Sequence, residues 1–368
     1  MRIKRLAVAA LLVLALVAVA ACGGTAKNTG TQTASESGSE QGQGGKVIKV
    51  GLVTDVGGLD DHGFNELAYK GLQKAAQDLG VQVNVVQSKQ QSDYIPNLTN
   101  FANQGYDLVI AVGFLMTDAV HQVAPQFPNT KFGIIDVDYN SVVTDSGQDA
   151  NADKSKYANV AGTIFKTEQC GYLAGVLAGL VEKNNALPGL QGKNTVGVVG
   201  GIAIPPVDSY IAGFQQGVKA VNPDAKVLLE YANAFDNPQG GKEIALAEYA
   251  QGADIVFQVA GGTGLGVIDA AKEKHLYAIG VDADQNYLGP DNVITSAMKG
   301  VDTATYQLIK AVVDGTFKAG DFTFDLANGG VGLGVFAKSV PQDIIDQVNQ
   351  AAEDIKAGKI QISAQVQK

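Results

Sequence analysis

From residue 47 onward, short apolar segments alternate regularly with segments of helical periodicity. Residues 47–54 are rich in β-branched and apolar side chains, which is typical of a strand. Residues 64–79 place Leu67, Leu72 and Leu79 on one helical stripe. The alternation continues with predicted strands and helices at 81–86, 94–103, 107–112, 117–127 and 131–136. Such alternation favours a parallel sheet covered by helices on both faces.

A polar segment at 137–159, rich in Asp, Asn and Ser, interrupts this alternation, which then begins again. A second run of strands and helices of similar length follows at 168–281, and four shorter segments remain within 293–357. Because those four are too short to form a domain, we expect the chain to return to the first lobe and then to the second. The sequence therefore predicts an α/β protein with two doubly wound parallel-sheet lobes and a ligand cleft between their strand ends.

We assign the chain to four parts on this basis. The first lobe is predicted to comprise residues 46–160 plus about 285–320. The second lobe is predicted to comprise residues 161–284 plus about 321–368. The other two predicted parts are residues 1–21 and residues 22–45.

The first 21 residues have the pattern of a secretory signal peptide. A positively charged start is followed by an apolar stretch at 6–21, which is shorter than the about 20 residues of a spanning helix. The stretch ends in Val-Ala-Ala directly before Cys22 and resembles the bacterial lipobox, in which the cysteine thiol is acylated. We therefore expect Cys22 to be lipidated, with palmitate or a similar chain. An ordinary signal peptide with an incidental cysteine is the alternative.

The segment that follows Cys22 is predicted to be a flexible tether. Residues 23–45 contain no large apolar side chain, so the segment cannot bury a face. Lipid, tether and globular body together predict a protein held at the extracytoplasmic face of the cell membrane.

The net charge and the positions of the cysteines and histidines exclude several kinds of ligand and partner. The chain has 27 basic and 37 acidic residues and a formal net charge of −10. An acidic surface repels phosphate backbones, so nucleic acid is not an expected partner. Cys22 and Cys170 are far apart and the three histidines are scattered, so we expect no metal and no cofactor. Cys170 precedes an apolar helical pattern and is expected to be a buried, inert thiol rather than a nucleophile.

The sequence lacks the common catalytic motifs. It contains neither a P-loop nor a GxSxG nucleophile motif. The glycine-rich stretch at 261–266 follows a strand, but Val267 replaces the last glycine of a dinucleotide-binding loop. A tight turn that lets a ligand or a backbone approach closely is the better interpretation.

An aspartate cluster follows the first strand. Asp55, Asp60 and Asp61 resemble the calcium-binding cluster of nucleoside hydrolases, because hard cations require several oxygen ligands. However, Val53 stands in place of that motif's first aspartate, the spacing is one residue too long and the proline is missing. We therefore keep a hydrolase only as a weak alternative and expect the protein not to be an enzyme.

The segment at 53–65 (VTDVGGLDDHGFN) resembles the signature of the basic membrane protein family, lipoproteins that serve ABC importers as purine-nucleoside receptors. Further motifs similar to those of the family occur in order, at 164–175, 200–214, 260–264, 280–285 and 295–299. Gly63 departs from the serine that often precedes Phe-Asn in the family. The resemblance implies a type I periplasmic-binding-protein-like fold and an ABC permease as partner.

The residues at the predicted strand ends suit a purine base. Phe64 and Phe235 come from different lobes and could stack on the two faces of a base, although both could be core residues. Asn65 offers a donor and an acceptor to the base edge, or caps its helix. Asp136 could accept from ring N–H groups, or orient loop amides. The resemblance adds Asp55 to this predicted site.

Other predicted site residues suit the sugar. Asp282 can accept from both hydroxyls of a diol and Lys299 can donate to them, or the two form a structural salt bridge. Gly262 and Thr263 would bring backbone N–H groups to the ligand. Asp118 begins a helix after the segment at 113–117, which could line the site, or it caps that helix.

These features predict a lipid-anchored receptor that captures a purine nucleoside by cleft closure and delivers it to an ABC permease. A receptor for a pentose or a related sugar would use the same Asp and Lys residues with less aromatic stacking. A ligand sensor that serves a signalling partner is the third possibility.

Overall fold

The computed structural model describes residues 46–367, so the predicted signal peptide, lipidated Cys22 and tether lie outside the described residues. The strands are β1 (Lys49–Thr54), β2 (Gln82–Gln87), β3 (Leu108–Val112), β4 (Lys131–Ile135), β5 (Val160–Phe165), β6 (Thr195–Gly200), β7 (Lys226–Val227), β8 (Glu230–Tyr231), β9 (Ala253–Val259), β10 (Tyr277–Asp282), β11 (Val293–Lys299), β12 (Gly320–Phe324) and β13 (Val331–Leu333). The α-helices are α1 (Phe64–Leu79), α2 (Tyr94–Asn103), α3 (Thr117–Val123), α4 (Tyr139–Val143), α5 (Thr167–Asn184), α6 (Pro205–Val221), α7 (Pro238–Ala250), α8 (Gly264–Lys274), α9 (Val301–Val313) and α10 (Gln342–Lys356).

The strands form two sheets of the same design. The first has the order β12-β5-β4-β3-β1-β2, and all its strand pairs are parallel. The second has the order β13-β11-β10-β9-β6-β7, with β8 also paired to β6, and only the short β13 runs antiparallel. In each sheet the first strand lies next to one edge and the second forms that edge, together with β8 in the second sheet. The strands that follow are added on the other side of the first strand. The predicted α/β fold with two parallel-sheet lobes is confirmed.

The chain passes between the two lobes at places that differ from the predicted boundaries. Strand β5 pairs with β4, so the first lobe extends beyond residue 160. Strand β11 pairs with β10 in the second sheet, although we had predicted residues 293–299 to lie in the first lobe. The chain then returns to the first lobe, where α9 packs against α1 and β12 pairs with β5, and ends in the second lobe with β13 and α10. Hydrophobic periodicity identifies a strand but not the sheet that it joins, and this is why the boundaries were wrong.

Helices α5 and α6 pack with almost no separation in the second lobe. A Cβ atom on Gly171 or Gly175 would lie 2.2 or 2.1 Å from the carbonyl oxygen of Tyr210 or Phe214. A Cβ atom on Gly213 or Gly217 would meet the α5 backbone at 2.1 Å. Glycine at these four positions therefore allows the two backbones to touch, and this contact fixes the position of α6 beneath the cleft.

None of the helices within residues 46–367 is both long enough and apolar enough to cross a membrane.

Candidate functional site

A cavity lies between the two lobes, at the carboxyl ends of the central strands. Its empty volume, which includes space open to solvent, is about 570 Å³. The loops after β1, β3 and β4 and the start of α1 line it from the first lobe. Helix α6, the loops after β8 and β9 and the ends of β10 and β11 line it from the second. Ligands of doubly wound sheets bind at such strand ends.

The two lobes also touch directly. The side chain of Gln285 donates to the backbone carbonyl of His62 at 3.1 Å, and Tyr287 Oη lies 2.9 Å from His62 Nδ1. His62 follows β1 in the first lobe, whereas Gln285 and Tyr287 follow β10 in the second. The lobes are therefore closed around the cavity.

Seven of the ten predicted ligand-binding residues line this cavity. They are Asp55, Phe64, Asn65, Asp136, Phe235, Asp282 and Lys299. Asp118 does not: its side chain is exposed on α3, while the preceding Phe114 and Leu115 reach the cavity. Asp118 therefore does not reach the cavity, and its position does not support the prediction that it binds ligand.

Thr263 and Gly262 lie behind the cavity wall rather than in it. Thr263 is fully buried, and its hydroxyl donates to the carbonyl of Ala234 at 3.1 Å and accepts from Asn237 N–H at 2.9 Å. Its own N–H donates to the carbonyl of Phe235 at 3.0 Å. Thr263 therefore holds the loop that carries Phe235, and the neighbouring Gly261 forms the wall.

A glycine lies against each phenylalanine ring, and the ring of Phe235 requires its glycine neighbour. A Cβ atom on Gly201 would lie 2.3 Å from Phe235 Cε1. A Cβ atom on Gly113, whose φ is 116°, would lie 3.4 Å from Phe64 Cε1. Both rings are half-buried and line the cavity from opposite lobes.

A buried ionic cluster joins the lobes at the cavity. Lys299 Nζ lies 2.7 Å from Asp136 Oδ2 of the first lobe and 3.2 Å from Asp282 Oδ1 of the second. The Tyr210 hydroxyl donates to the same Asp282 oxygen at 3.1 Å, and Lys299 Nζ lies 4.5 Å from the centre of the Phe64 ring. Asp136 thus faces Lys299 in this structure, next to the residues predicted for the sugar.

The two aspartates of this cluster occupy equivalent places in the two sheets. Asp136 directly follows β4 and Asp282 ends β10, and each of these strands is third from the edge. Both residues have a left-handed backbone, with φ of 67° and 62°. Asp adopts this conformation more readily than most residues, and here it directs a carboxylate from each lobe towards one lysine.

The ionisation of the cluster follows from its burial. Burial lowers the pKa of Lys299, but the two carboxylates outweigh this effect and raise it, so the ammonium stays charged. Burial raises the pKa of Asp136, and the attraction of Lys299 only partly offsets this rise. One lysine shared by two buried acids leaves the cluster short of positive charge.

A second polar network surrounds Asn65. Its amide nitrogen donates to Asp55 Oδ1 at 2.8 Å and to Asp61 Oδ2 at 3.0 Å. Asp61 also accepts from the backbone N–H groups of Gly63, Asn65 and Glu66 and thereby caps α1. Burial raises the pKa of Asp55 to about 6, against the lowering effect of its hydrogen bonds from Asn65 and Gly57.

The weak hydrolase alternative finds no support in this geometry. Asp60 is exposed and Asp61 is used as a helix cap. Among the described residues, no group of three or more His, Cys, Asp or Glu side chains is placed to hold a metal ion. Cys170 is fully buried, as expected, and burial raises the pKa of its thiol.

Some cavity residues were missed by sequence reasoning. Asp61 lies within the motif at 53–65, but the sequence indicated only a calcium-binding role for it. Tyr210 carried no signal, because it is one of several buried residues on α6. Gly57, Pro206 and Val259 are further cavity residues that we did not predict, whereas Phe114 and Leu115 belong to the predicted lining segment at 113–117.

Two parallel-sheet lobes around a cavity are the architecture that bilobal solute-binding proteins share with LacI-type repressors. A solved solute-binding protein of an ABC transporter system from Aeropyrum pernix K1 has this fold. It superposes with a TM-score of 0.75 at 29% sequence identity, over 86% of this chain and 93% of that chain.

The amino-acid sequence shows which family the chain belongs to. Residues 48–366 match the family model for Bmp, described as "ABC transporter substrate-binding protein PnrA-like", and the chain belongs to this family. The resemblance to basic membrane proteins is thereby confirmed. The protein is a substrate-binding component of an ABC transporter, which implies a permease partner, and the family is not one of enzymes.

Two curated relatives illustrate the family. The "ABC transporter nucleoside-binding protein BmpA" of Lactococcus lactis subsp. cremoris is 34% identical over 87% of this chain and 91% of its own length. A lipoprotein of Pyrococcus horikoshii is 33% identical over 86% of this chain and 74% of its own length.

Proposed function

We propose that this protein binds purine nucleosides by closure of its two lobes and presents them to an ABC permease from the outer face of the cell membrane. The observation that carries the proposal is the composition of the cavity wall. Phe64 and Phe235 come from opposite lobes, which suits a flat ligand that both lobes must grip. The name of the Lactococcus lactis relative supports the same ligand class.

The polar residues of the cavity support two kinds of contact. The network of Asp55 and Asn65 suits the edge of a base, because both residues offer acceptor oxygens. The cluster of Asp136, Asp282 and Lys299 suits a ribose, because carboxylates and an ammonium satisfy several hydroxyl groups. A ligand that bonds to both Asp136 and Asp282 would link the two lobes and favour closure.

The location belongs to the same proposal. Cys22 is proposed to carry the lipid, so that the body acts beside the membrane that contains the permease. A relative that is named a lipoprotein supports this placement.

The test is isothermal titration calorimetry with guanosine, a soluble purine base and ribose. Phe235→Ala should weaken nucleoside binding by about 5- to 150-fold, because base stacking contributes about 1–3 kcal/mol. It should weaken binding of the free base as well. Asp282→Asn should weaken nucleoside binding but leave binding of the free base nearly unchanged, since the base has no diol.

Matched controls lie outside the cavity. Phe322→Ala removes a half-buried ring from the first lobe, and Asp314→Asn removes an exposed carboxylate from α9. Neither should change the affinity for nucleosides. Binding of ribose without any binding of nucleosides, or no loss in the Phe235 variant, would contradict the proposal and favour a pentose receptor.

A further inference from the structure

A second cavity lies at the edge of the second sheet, between α7 and the segment that contains β7 and β8. Within residues 46–367 it shares no lining residue with the cavity between the lobes. Its wall combines apolar side chains with three acidic ones, which include Leu228, Ile244, Ala247, Glu230, Glu243 and Glu248. None of its lining residues in the described structure is basic. The cavity is therefore acidic, with apolar sides.

Glu248 is the inner acid of this cavity. It is 3% exposed, and of the lining residues that the structure describes it is the one that is buried. A Cβ atom on Gly197 of β6 would lie 2.1 Å from Glu248 Oε2, so glycine at this position leaves room for the carboxyl group. The sheet beneath α7 thus accommodates an acid where a core would ordinarily hold an apolar side chain.

The carboxyl group of Glu248 lacks a partner. Both of its oxygens are buried without a hydrogen bond to any described residue. The N–H group of Val198 comes near, but it donates to the carbonyl of Leu228 at 3.0 Å. Buried polar groups normally have a hydrogen-bond partner, and leaving one unpaired is unfavourable. A ligand that enters the cavity and carries N–H donors would supply what the protein does not.

The surroundings of Glu248 contain no opposite charge. Burial raises its pKa to about 8, the nearby Val198 N–H lowers it slightly, and Glu230 on β8 adds to the rise. Burial and Glu248 raise the pKa of Tyr249 well above its usual range, so that neighbour stays neutral. Lys242, on the same helix, pairs instead with Glu273 of α8 at 2.8 Å.

The positions of the three acids indicate the shape of the ligand. Glu230 and Glu243 are exposed, so they lie at the opening, whereas Glu248 lies at the inner end. Glu243 and Glu248 are five residues apart on α7, which is about 7.5 Å along the helix axis. The apolar side chains of Ile244 and Ala247 lie between them in the chain and suit methylene groups rather than a hydrated metal ion. The described residues also offer no group of three metal-ligating side chains.

We propose that this cavity binds a linear aliphatic diamine, with one ammonium group at Glu248 and the other at Glu230 and Glu243. The methylene chain packs against the apolar wall between these acids. The site is independent of the cleft, so it does not rest on the proposed nucleoside function.

The experiment is isothermal titration calorimetry with 1,5-diaminopentane, pentylamine and 1,5-pentanediol. The diamine should bind most tightly, pentylamine more weakly, and the uncharged diol not at all. Glu248→Gln keeps the shape of the side chain and removes its charge. It should weaken binding of the diamine by about 10- to 150-fold, since hydrogen bonds to a charged group are lost. Glu230→Gln combined with Glu243→Gln should remove the advantage of the diamine over pentylamine.

Proton release gives a second readout of the same site. Alkylammonium groups stay charged up to about pH 10. Because the pKa of Glu248 is about 8, its carboxyl group must lose a proton to pair with the ligand at pH 7. Titrations in buffers of different ionisation enthalpy should therefore show release of about one proton at pH 7. The affinity should rise between pH 6 and pH 8, and Glu248→Gln should abolish both the release and the rise.

Glu182→Gln is the matched control. Glu182 on α5 is also buried, and burial raises its pKa to about 8, but it does not line this cavity. Its variant should bind the diamine as the original protein does, with the same proton release. Absence of diamine binding at millimolar concentration would overturn the proposal. Unchanged binding by a Glu248→Gln variant with the original circular dichroism, or equal losses in the Glu248 and Glu182 variants, would overturn it as well.

Discussion

Replacement of Lys299 by methionine tests the buried ionic cluster on which the closed cleft depends. Methionine keeps much of the length and volume of lysine but removes the charge. The side chain of Lys299 is only 4% exposed, and those of Asp136 and Asp282 are 9% and 8% exposed. Two carboxylates would therefore remain in a dry site without their shared counter-charge.

The size of the effect follows from this burial. Removing one partner of a buried ion pair typically costs about 3–5 kcal/mol, and we expect Lys299→Met to lower the free energy of unfolding by that amount at pH 8. The loss should depend strongly on pH, because burial already raises the pKa of Asp136 and loss of the lysine raises it further. The folded variant then binds a proton that the unfolded chain, with an Asp pKa of about 3.9, does not.

The variant should become less stable as the pH rises. Because the pKa of Asp136 is higher in the folded variant than in the unfolded chain, the free energy of unfolding falls as the pH rises from about 4 through the folded-state pKa. The difference between the two proteins should therefore shrink towards pH 5, by up to about 1.4 kcal/mol per pH unit for each carboxyl that binds a proton. Urea unfolding of the ligand-free proteins at pH 5 and pH 8 measures this difference in the free energy of unfolding.

The control is Lys310→Met, which removes the lysine of the exposed Lys310–Asp314 pair on α9. Exposed pairs of this kind contribute little, so its stability should be unchanged at both pH values. A destabilisation by Lys299→Met that is equal at pH 5 and pH 8, or absent at pH 8, would refute the electrostatic reasoning.

Two further changes test the helix packing and the anchor. Gly213→Ala should destabilise the protein by about 1–3 kcal/mol in urea unfolding, because its Cβ would lie 2.1 Å from the carbonyl oxygen of Glu168. Gly332→Ala, which adds a Cβ with no atom within 4 Å, is the control, and equal effects would contradict the close-packing argument. Cys22→Ala should move the protein from the membrane fraction to the soluble fraction, since acyl chains are the proposed anchor. Retention of that variant in membranes after a high-salt wash would refute lipidation at this residue.

The fold could be predicted largely because its strands are buried on both faces. The predicted bounds of α1, Phe64–Leu79, agree with the structure because an apolar stripe and the following Gly80 mark them. Strand β12 was missed, because at the sheet edge exposed polar residues alternate with half-buried ones and leave no apolar run. The lobe of β11 was assigned wrongly, because pairing between distant strands leaves no trace in local periodicity.

The cavity residues at strand ends could be placed for a similar reason. Phe64 and Asp136 follow strands of the first sheet, and Lys299 ends a strand of the second. Because the carboxyl ends of parallel strands meet at one edge of each sheet, topology alone brings these residues near the cleft. The link between Asp136 and Lys299 could not be foreseen, since it joins the two lobes. The role of Thr263 was also hidden, because only the folded loop shows that its hydroxyl holds the Phe235 segment rather than a ligand.

Mass spectrometry of the small molecules released from the purified protein on denaturation tests the central claim most directly. Because the cavity is closed by both lobes, a captured ligand should survive rapid purification. We expect an intact purine nucleoside as the released species. A pentose as the released ligand, with no nucleoside retained even after the protein is incubated with guanosine, would contradict it.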